Sequence, residues 1–146
     1  MVTEWFWEGH VVQSLVKHLQ QEGWMIESVA DTAKKEKGVD IRATREERAL
    51  LIEVKGFPSS FYQDPARRDK EKKTKPTIQA PVWYAQALLK AMMLQSEFPG
   101  ADIAIGLPEH RRYQRLIDKT SQPLQKLGLT IYLVSEEGEV RTLNSV

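Results

Sequence analysis

Asp40, Glu53 and Lys55 are the residues of this chain whose types and spacing fit them for chemistry, and Glu8 is a fourth candidate far upstream. Asp40 sits in Gly38-Val39-Asp40-Ile41, while Glu53 and Lys55 close the run Ala49-Leu50-Leu51-Ile52-Glu53-Val54-Lys55-Gly56. Both runs read as strands, and an ordinary core strand avoids ionisable residues because burying a charge is costly. Two carboxylates beside a lysine are the set that holds a divalent metal against a phosphodiester.

The strands that carry these residues constrain how they meet. Alternate residues of a strand face the same side, so Glu53 and Lys55 share one face while Ile52 and Val54 take the other. A turn centred between Glu46 and Glu47 pairs Arg45 with Arg48, and continuing that ladder brings Asp40 opposite Glu53. Directly opposed side chains lie about 5 Å apart at Cβ. Like charges at that distance are unfavourable unless a positive group stands between them. A magnesium ion and Lys55 would supply that charge.

Around this hairpin the pattern predicts an α/β domain. Thr3 is the expected N-cap of a helix running to about Glu22, with Gly23 as its stop. Trp5, Glu8, Val12, Leu15, Val16 and Leu19 follow helical spacing, which places a carboxylate, Glu8, on an inward-facing apolar stripe. Strands are expected over 24–30, 39–44 and 49–55. The stretch 56–77 reads as a loop punctuated by Gly56, Pro58, Pro65 and Pro76. A helix from about Ile78 to Glu97 follows, with Pro81 tolerable only in its first turn. Then come a strand over 101–107, a helix kinked or divided at Pro123 and ended by Gly128, a strand over 129–135 and a short edge strand over 140–143. The order α-β-β-β-α-β-α-β predicts one domain with a mixed central sheet flanked by helices on both faces, since strands separated by helices favour parallel crossovers.

Composition excludes several alternatives. The 146 residues suffice for one hydrophobic core. No stretch approaches the apolar length of a membrane span, and Glu4 and Glu8 interrupt the N-terminal apolar residues, so no signal peptide is expected. With no cysteine, disulfides and thiolate zinc sites are excluded, and His10, His18 and His110 form no ligand motif. These features fit a cytoplasmic protein. Net charge is only +1, but Arg67, Arg68, Lys70, Lys72, Lys73 and Lys75 crowd one segment directly after the acidic motif. That placement suits a flap that tracks phosphates, although a basic run of this kind also serves simply as a solvated loop. Trp5, Phe6 and Trp7 read as core or dimer packing.

Asp40, Glu53, Lys55 and the helical Glu8 together resemble the PD-(D/E)XK nuclease superfamily, the restriction-endonuclease-like fold. The N-terminal helical glutamate is most similar to that of Holliday-junction-resolvase-like nucleases. Val39, rather than proline, precedes Asp40. The resemblance implies a metal-dependent DNA endonuclease. Asp40 and Glu53 would bind Mg2+ or Mn2+, with the Val54 carbonyl as a further ligand and Glu8 joining directly or through water, while Lys55 would orient the attacking water or offset phosphorane charge. It also carries over Gln79, which shares one helical face with Trp83, Gln86 and Lys90. DNA is the implied partner, and the junction-resolving version of the reading is a homodimer. The alternative is a non-catalytic nucleic-acid-binding or complex-assembly module that keeps the fold.

Overall fold

The computed structural model describes residues 5–30, 38–58 and 75–143. A two-residue connection sets the geometry on which the acidic residues depend. Strand β2 (Ile41–Arg45) turns back into β3 (Arg48–Val54) through Glu46 and Glu47, whose φ angles of 50° and 66° are both positive. Such a mirror-image turn matches the right-handed twist of the flanking strands, although it normally recruits Asn and Gly. The ladder pairs Arg45 with Arg48 and Ile41 with Ile52, the register that the sequence predicts.

The hairpin lies inside a six-stranded sheet of order β1-β2-β3-β4-β5-β6, completed by β1 (Met25–Val29), β4 (Asp102–Pro108), β5 (Thr130–Val134) and β6 (Val140–Leu143). β3, β4 and β5 run parallel. β1 and β2 meander antiparallel at one side and β6 is antiparallel at the other edge. Helix α1 (Glu8–Gln21) covers one face, and α2 (Pro76–Glu97) and α3 (Arg111–Leu127) cover the other. Element order and layering are those the sequence predicts, a mixed sheet flanked by helices on both faces.

Alternation along β3 feeds both layers. Leu50, Ile52 and Val54 pack with Val11, Leu15 and Leu19 of α1. Leu51 packs on the opposite side with Ala87 and Ala91 of α2 and Tyr113 of α3. Gly23 and Gly128, both left-handed, close α1 and α3. The bonds Trp24 N–H to Leu19 O and Leu129 N–H to Leu124 O complete the same terminal motif at each end.

Three expectations are corrected. The first helix begins at Glu8 with extended Trp7 as its N-cap residue, so Trp5 and Phe6 precede it; Thr3 lies outside the described residues. The reason is non-local: the Phe57 N–H donates to the Phe6 carbonyl at 2.9 Å and holds this stretch out of the helix. Second, α2 begins at Pro76 and carries Pro81 beyond its first turn. The Thr77 carbonyl, which Pro81 cannot satisfy, accepts from Arg112 Nε at 3.4 Å. Third, α3 runs undivided through Pro123. Of the expected loop, residues 59–74 lie outside the described residues.

Candidate active site

Asp40 stands one residue before β2 and one step beyond the Ile41–Ile52 pair, which sets it opposite Glu53. Its position is fixed at two points. Its carbonyl accepts from the Ala30 N–H at 2.8 Å, and its Oδ2 accepts from the Val54 N–H at 2.8 Å. Asp40 thereby continues the β2–β3 ladder through its side chain. Glu53, the penultimate residue of β3, lies close enough to Asp40 for the aspartate to act on its carboxyl by charge and by side-chain hydrogen bonding.

Lys55 follows β3 and extends its parallel pairing, its N–H donating to the Gly106 carbonyl at 3.0 Å. Its Nζ donates to Gln86 Oε1 at 3.4 Å and lies 5.8 Å from the centre of the Trp83 ring, within the range of a cation–π contact. Lys90, one turn further along α2, acts electrostatically on Glu53. The α2 face that carries Gln79, Trp83, Gln86 and Lys90 therefore looks towards the acidic pair. Gln86, not Gln79, is the glutamine that reaches Lys55. Gln79 sits in the first turn of α2, half-buried, with its Oε1 buried and without a hydrogen-bond partner among the described residues.

Glu8 arrives by a different route. Gly56 is pressed against the chain before α1: a Cβ there would lie 2.7 Å from the Glu8 nitrogen and 2.8 Å from the Phe6 carbonyl oxygen. Only glycine allows this approach. The Gly56 carbonyl accepts from the buried Tyr113 hydroxyl at 2.7 Å. Next along the chain, the Phe57 ring stacks on His110 with centroids 3.5 Å apart and meets Phe6 edge-on. His110 in turn caps α3, its Nδ1 accepting from the Arg112 N–H at 3.2 Å. This knot ties the N-terminus of α1 to the residue after Lys55 and holds Glu8 within electrostatic reach of Asp40 and Lys55.

The electrostatics follow from this crowding. Burial first, then the charge and hydrogen bond of Asp40, push the Glu53 carboxyl up to about 8, against the opposing pull of Lys55 and Lys90. Burial and Asp40 push Glu8 up to about 7, again opposed by Lys55. Burial, and secondarily Glu8, raise Tyr113. Near neutral pH the cluster therefore holds protons that ordinary carboxyls release, and a bound cation would compete for their place.

Among the described residues, no three His, Cys, Asp or Glu side chains converge into a ligand cage. What converges is one carboxyl pair, Asp40 and Glu53, with Val54 in the adjoining backbone. That donor set does not suit an ion that demands four protein ligands. It fits magnesium, which takes one or two carboxylates, keeps several waters and completes its shell with substrate phosphate. Of the basic residues expected to bind nucleic acid, Lys75 is exposed at the N-cap of α2. Arg67, Arg68, Lys70, Lys72 and Lys73 lie outside the described residues. No helix among the described residues is long and apolar enough to cross a membrane.

The sequence matches no protein-family model and no curated protein. Its fold does match solved structures. An XisH family protein from Nostoc punctiforme superimposes with a TM-score of 0.52 at 18% identity, over 90% of this chain and 95% of that one. An FdxN element excision controlling factor protein from Anabaena variabilis does so with a TM-score of 0.50 at 16% identity, over 92% of this chain and 95% of that one. Identities this low establish a shared fold and nothing finer.

Proposed function

We propose that the chain is a metal-dependent endonuclease that hydrolyses phosphodiester bonds in DNA. The observation that carries this reading is the partly buried Asp40–Glu53 carboxyl pair, set opposite each other by the β2–β3 register, with Lys55 on the same strand face and Glu8 within electrostatic reach. A fold has no structural need to set two carboxyls against each other beside a lysine, whereas a cation-dependent phosphodiesterase does. That a protein named an excision controlling factor shares the fold supports DNA as the substrate class.

In this reading Asp40 and Glu53 would hold Mg2+ or Mn2+, and the Val54 carbonyl would be an additional oxygen donor. Such an ion would supply Lewis acidity towards a phosphate oxygen and a water. Lys55, steadied by Gln86, orients the nucleophile and offsets negative charge that develops on the phosphate oxygens. Glu8 accepts a proton or positions a water at the edge of the site. Lys75 and the basic residues before it track the phosphate backbone, which makes binding salt-dependent.

A second reading, a nucleic-acid-binding or assembly module that retains the fold, is favoured by one contact. Asp40 Oδ2 is engaged by the Val54 N–H, a purely structural use of the aspartate. Cleavage assays on supercoiled, linear and branched DNA separate the two. The nuclease reading expects Mg2+-dependent cleavage that Asp40→Ala and Lys55→Ala abolish while circular dichroism stays native. Tight DNA binding indifferent to Mg2+ and to Glu53→Ala, with no cleavage, would establish the module instead.

A further inference from the structure

Helix α2 carries two apolar seams. Ala80, Tyr84, Ala87, Ala91 and Leu94 recur at alternating spacings of four and three and are buried beneath the sheet and α3. Ile78, Val82, Ala85, Leu89 and Met92 repeat the same spacing on the opposite side, and all are exposed. Ile78 is 63%, Val82 54%, Leu89 61% and Met92 46% accessible. Among the described residues no element packs on this outer seam.

From Pro76 to Glu97 the helix contains only two charged residues, Lys90 and Glu97. A surface helix ordinarily turns one apolar stripe inward and keeps the opposite side polar, whereas α2 is apolar on both. An apolar repeat of 3.5 residues is the pattern by which two helices wind about each other and keep one seam in contact.

The composition of the outer seam names its occupant. Ala85 stands at its centre, with Val82 and Leu89 flanking it and Ile78 and Met92 outermost. A two-fold axis through Ala85 sets Val82 against Leu89 and Ile78 against Met92, each a branched or large side chain on a complementary one, with the smallest residue where the two backbones approach most closely. That is the self-complementarity of an isologous contact, in which residue i meets j and j meets i. Four large side chains roughly half exposed, with Met93 beside them, offer on the order of 500 Å² per copy, or about 1,000 Å² over two copies, the size of a weak, concentration-dependent interface. No charge on the seam repels a second copy.

We infer that the chain forms a two-fold symmetric dimer through antiparallel pairing of the outer seams of α2, centred on Ala85. The inference stands whether or not the proposed nuclease activity does. If both hold, Gln86 beside Ala85 links the interface to Lys55, and the dimer presents two sites related by the same axis.

The absence of cysteine makes the register directly testable. Analytical ultracentrifugation of the full chain from micromolar to sub-millimolar concentration is expected to show a dimer, and Leu89→Glu a monomer with native circular dichroism. Under mild oxidation, Ala85→Cys is expected to cross-link to itself. Ile78→Cys alone is not, because antiparallel pairing separates its two copies by about 21 Å, the length of fourteen helical residues. Ile78→Cys combined with Met92→Cys restores the cross-link. A wild-type monomer at every concentration overturns the inference, whatever covers the seam. Self-cross-linking of Ile78→Cys overturns the antiparallel register, and a Leu89→Glu protein that is still dimeric overturns the surface.

Discussion

Replacing Glu53 with Gln should change how stability depends on pH, because burial and the neighbouring Asp40 hold a proton on Glu53. In the folded protein its carboxyl titrates near 8, against an ordinary value of 4.5. A folded-state value above the unfolded one stabilises the protein fully below about 4.5, and that stabilisation is lost as pH rises through about 8. Each tenfold change in proton affinity corresponds to ~1.4 kcal/mol, so the full displacement would amount to about 5 kcal/mol. Water still reaches this carboxyl, and screening reduces the expected effect to about 2 kcal/mol. In Glu53→Gln the amide donates to Asp40 at every pH, so the dependence disappears. Urea unfolding in chelator at about pH 5 and about pH 8.5 should therefore show the wild type losing about 2 kcal/mol relative to Glu53→Gln across that window. Parallel pH dependences in the two proteins would refute the raised proton affinity of Glu53 and, with it, its burial against Asp40.

Further predictions come from the elements around the site. Gly56→Ala forces a methyl against the Glu8 and Phe6 backbones and should destabilise the protein by about 1–3 kcal/mol in thermal or urea unfolding. Tyr113→Phe removes the donor to the buried Gly56 carbonyl and should cost about 1–3 kcal/mol by the same measurement. Replacing Glu46-Glu47 with Asn-Gly relieves two left-handed glutamates and should raise the urea midpoint, by about 1–2 kcal/mol in stability. His110→Ala removes the α3 cap and should cost about 1 kcal/mol, detected as a lowered melting temperature.

The hairpin was legible in the sequence because its determinants are local. Two residues between alternating runs fix the register, and the register fixes Asp40 opposite Glu53. Helix ends marked by Gly23 and Gly128 were legible for the same reason. The start of α1 was not, since Phe57 reaches across the fold to hold Phe6 in place. Nor was the placement of Pro81 within α2, which is made tolerable by Arg112 donating from another helix. In the site, spacing identified the α2 face but not which glutamine on it meets Lys55. That depends on how α2 is set against β3, a matter of packing at Ala87 and Ala91 rather than of periodicity. The knot of Phe6, Gly56, Phe57, His110 and Tyr113 left no local signal at all, because its members come from three separate parts of the chain.

The claim that Asp40 and Glu53 form a cation site serving phosphodiester hydrolysis is tested most directly by calorimetric titration of Mg2+ or Mn2+ into wild type and Asp40→Ala, with DNA cleavage assayed on the same samples. The account predicts binding accompanied by proton release near neutral pH, because the ion displaces the protons held by Glu53 and Glu8. It further predicts that binding and cleavage disappear together in the mutant. Absence of binding even with DNA present, or cleavage that survives Asp40→Ala, would contradict it.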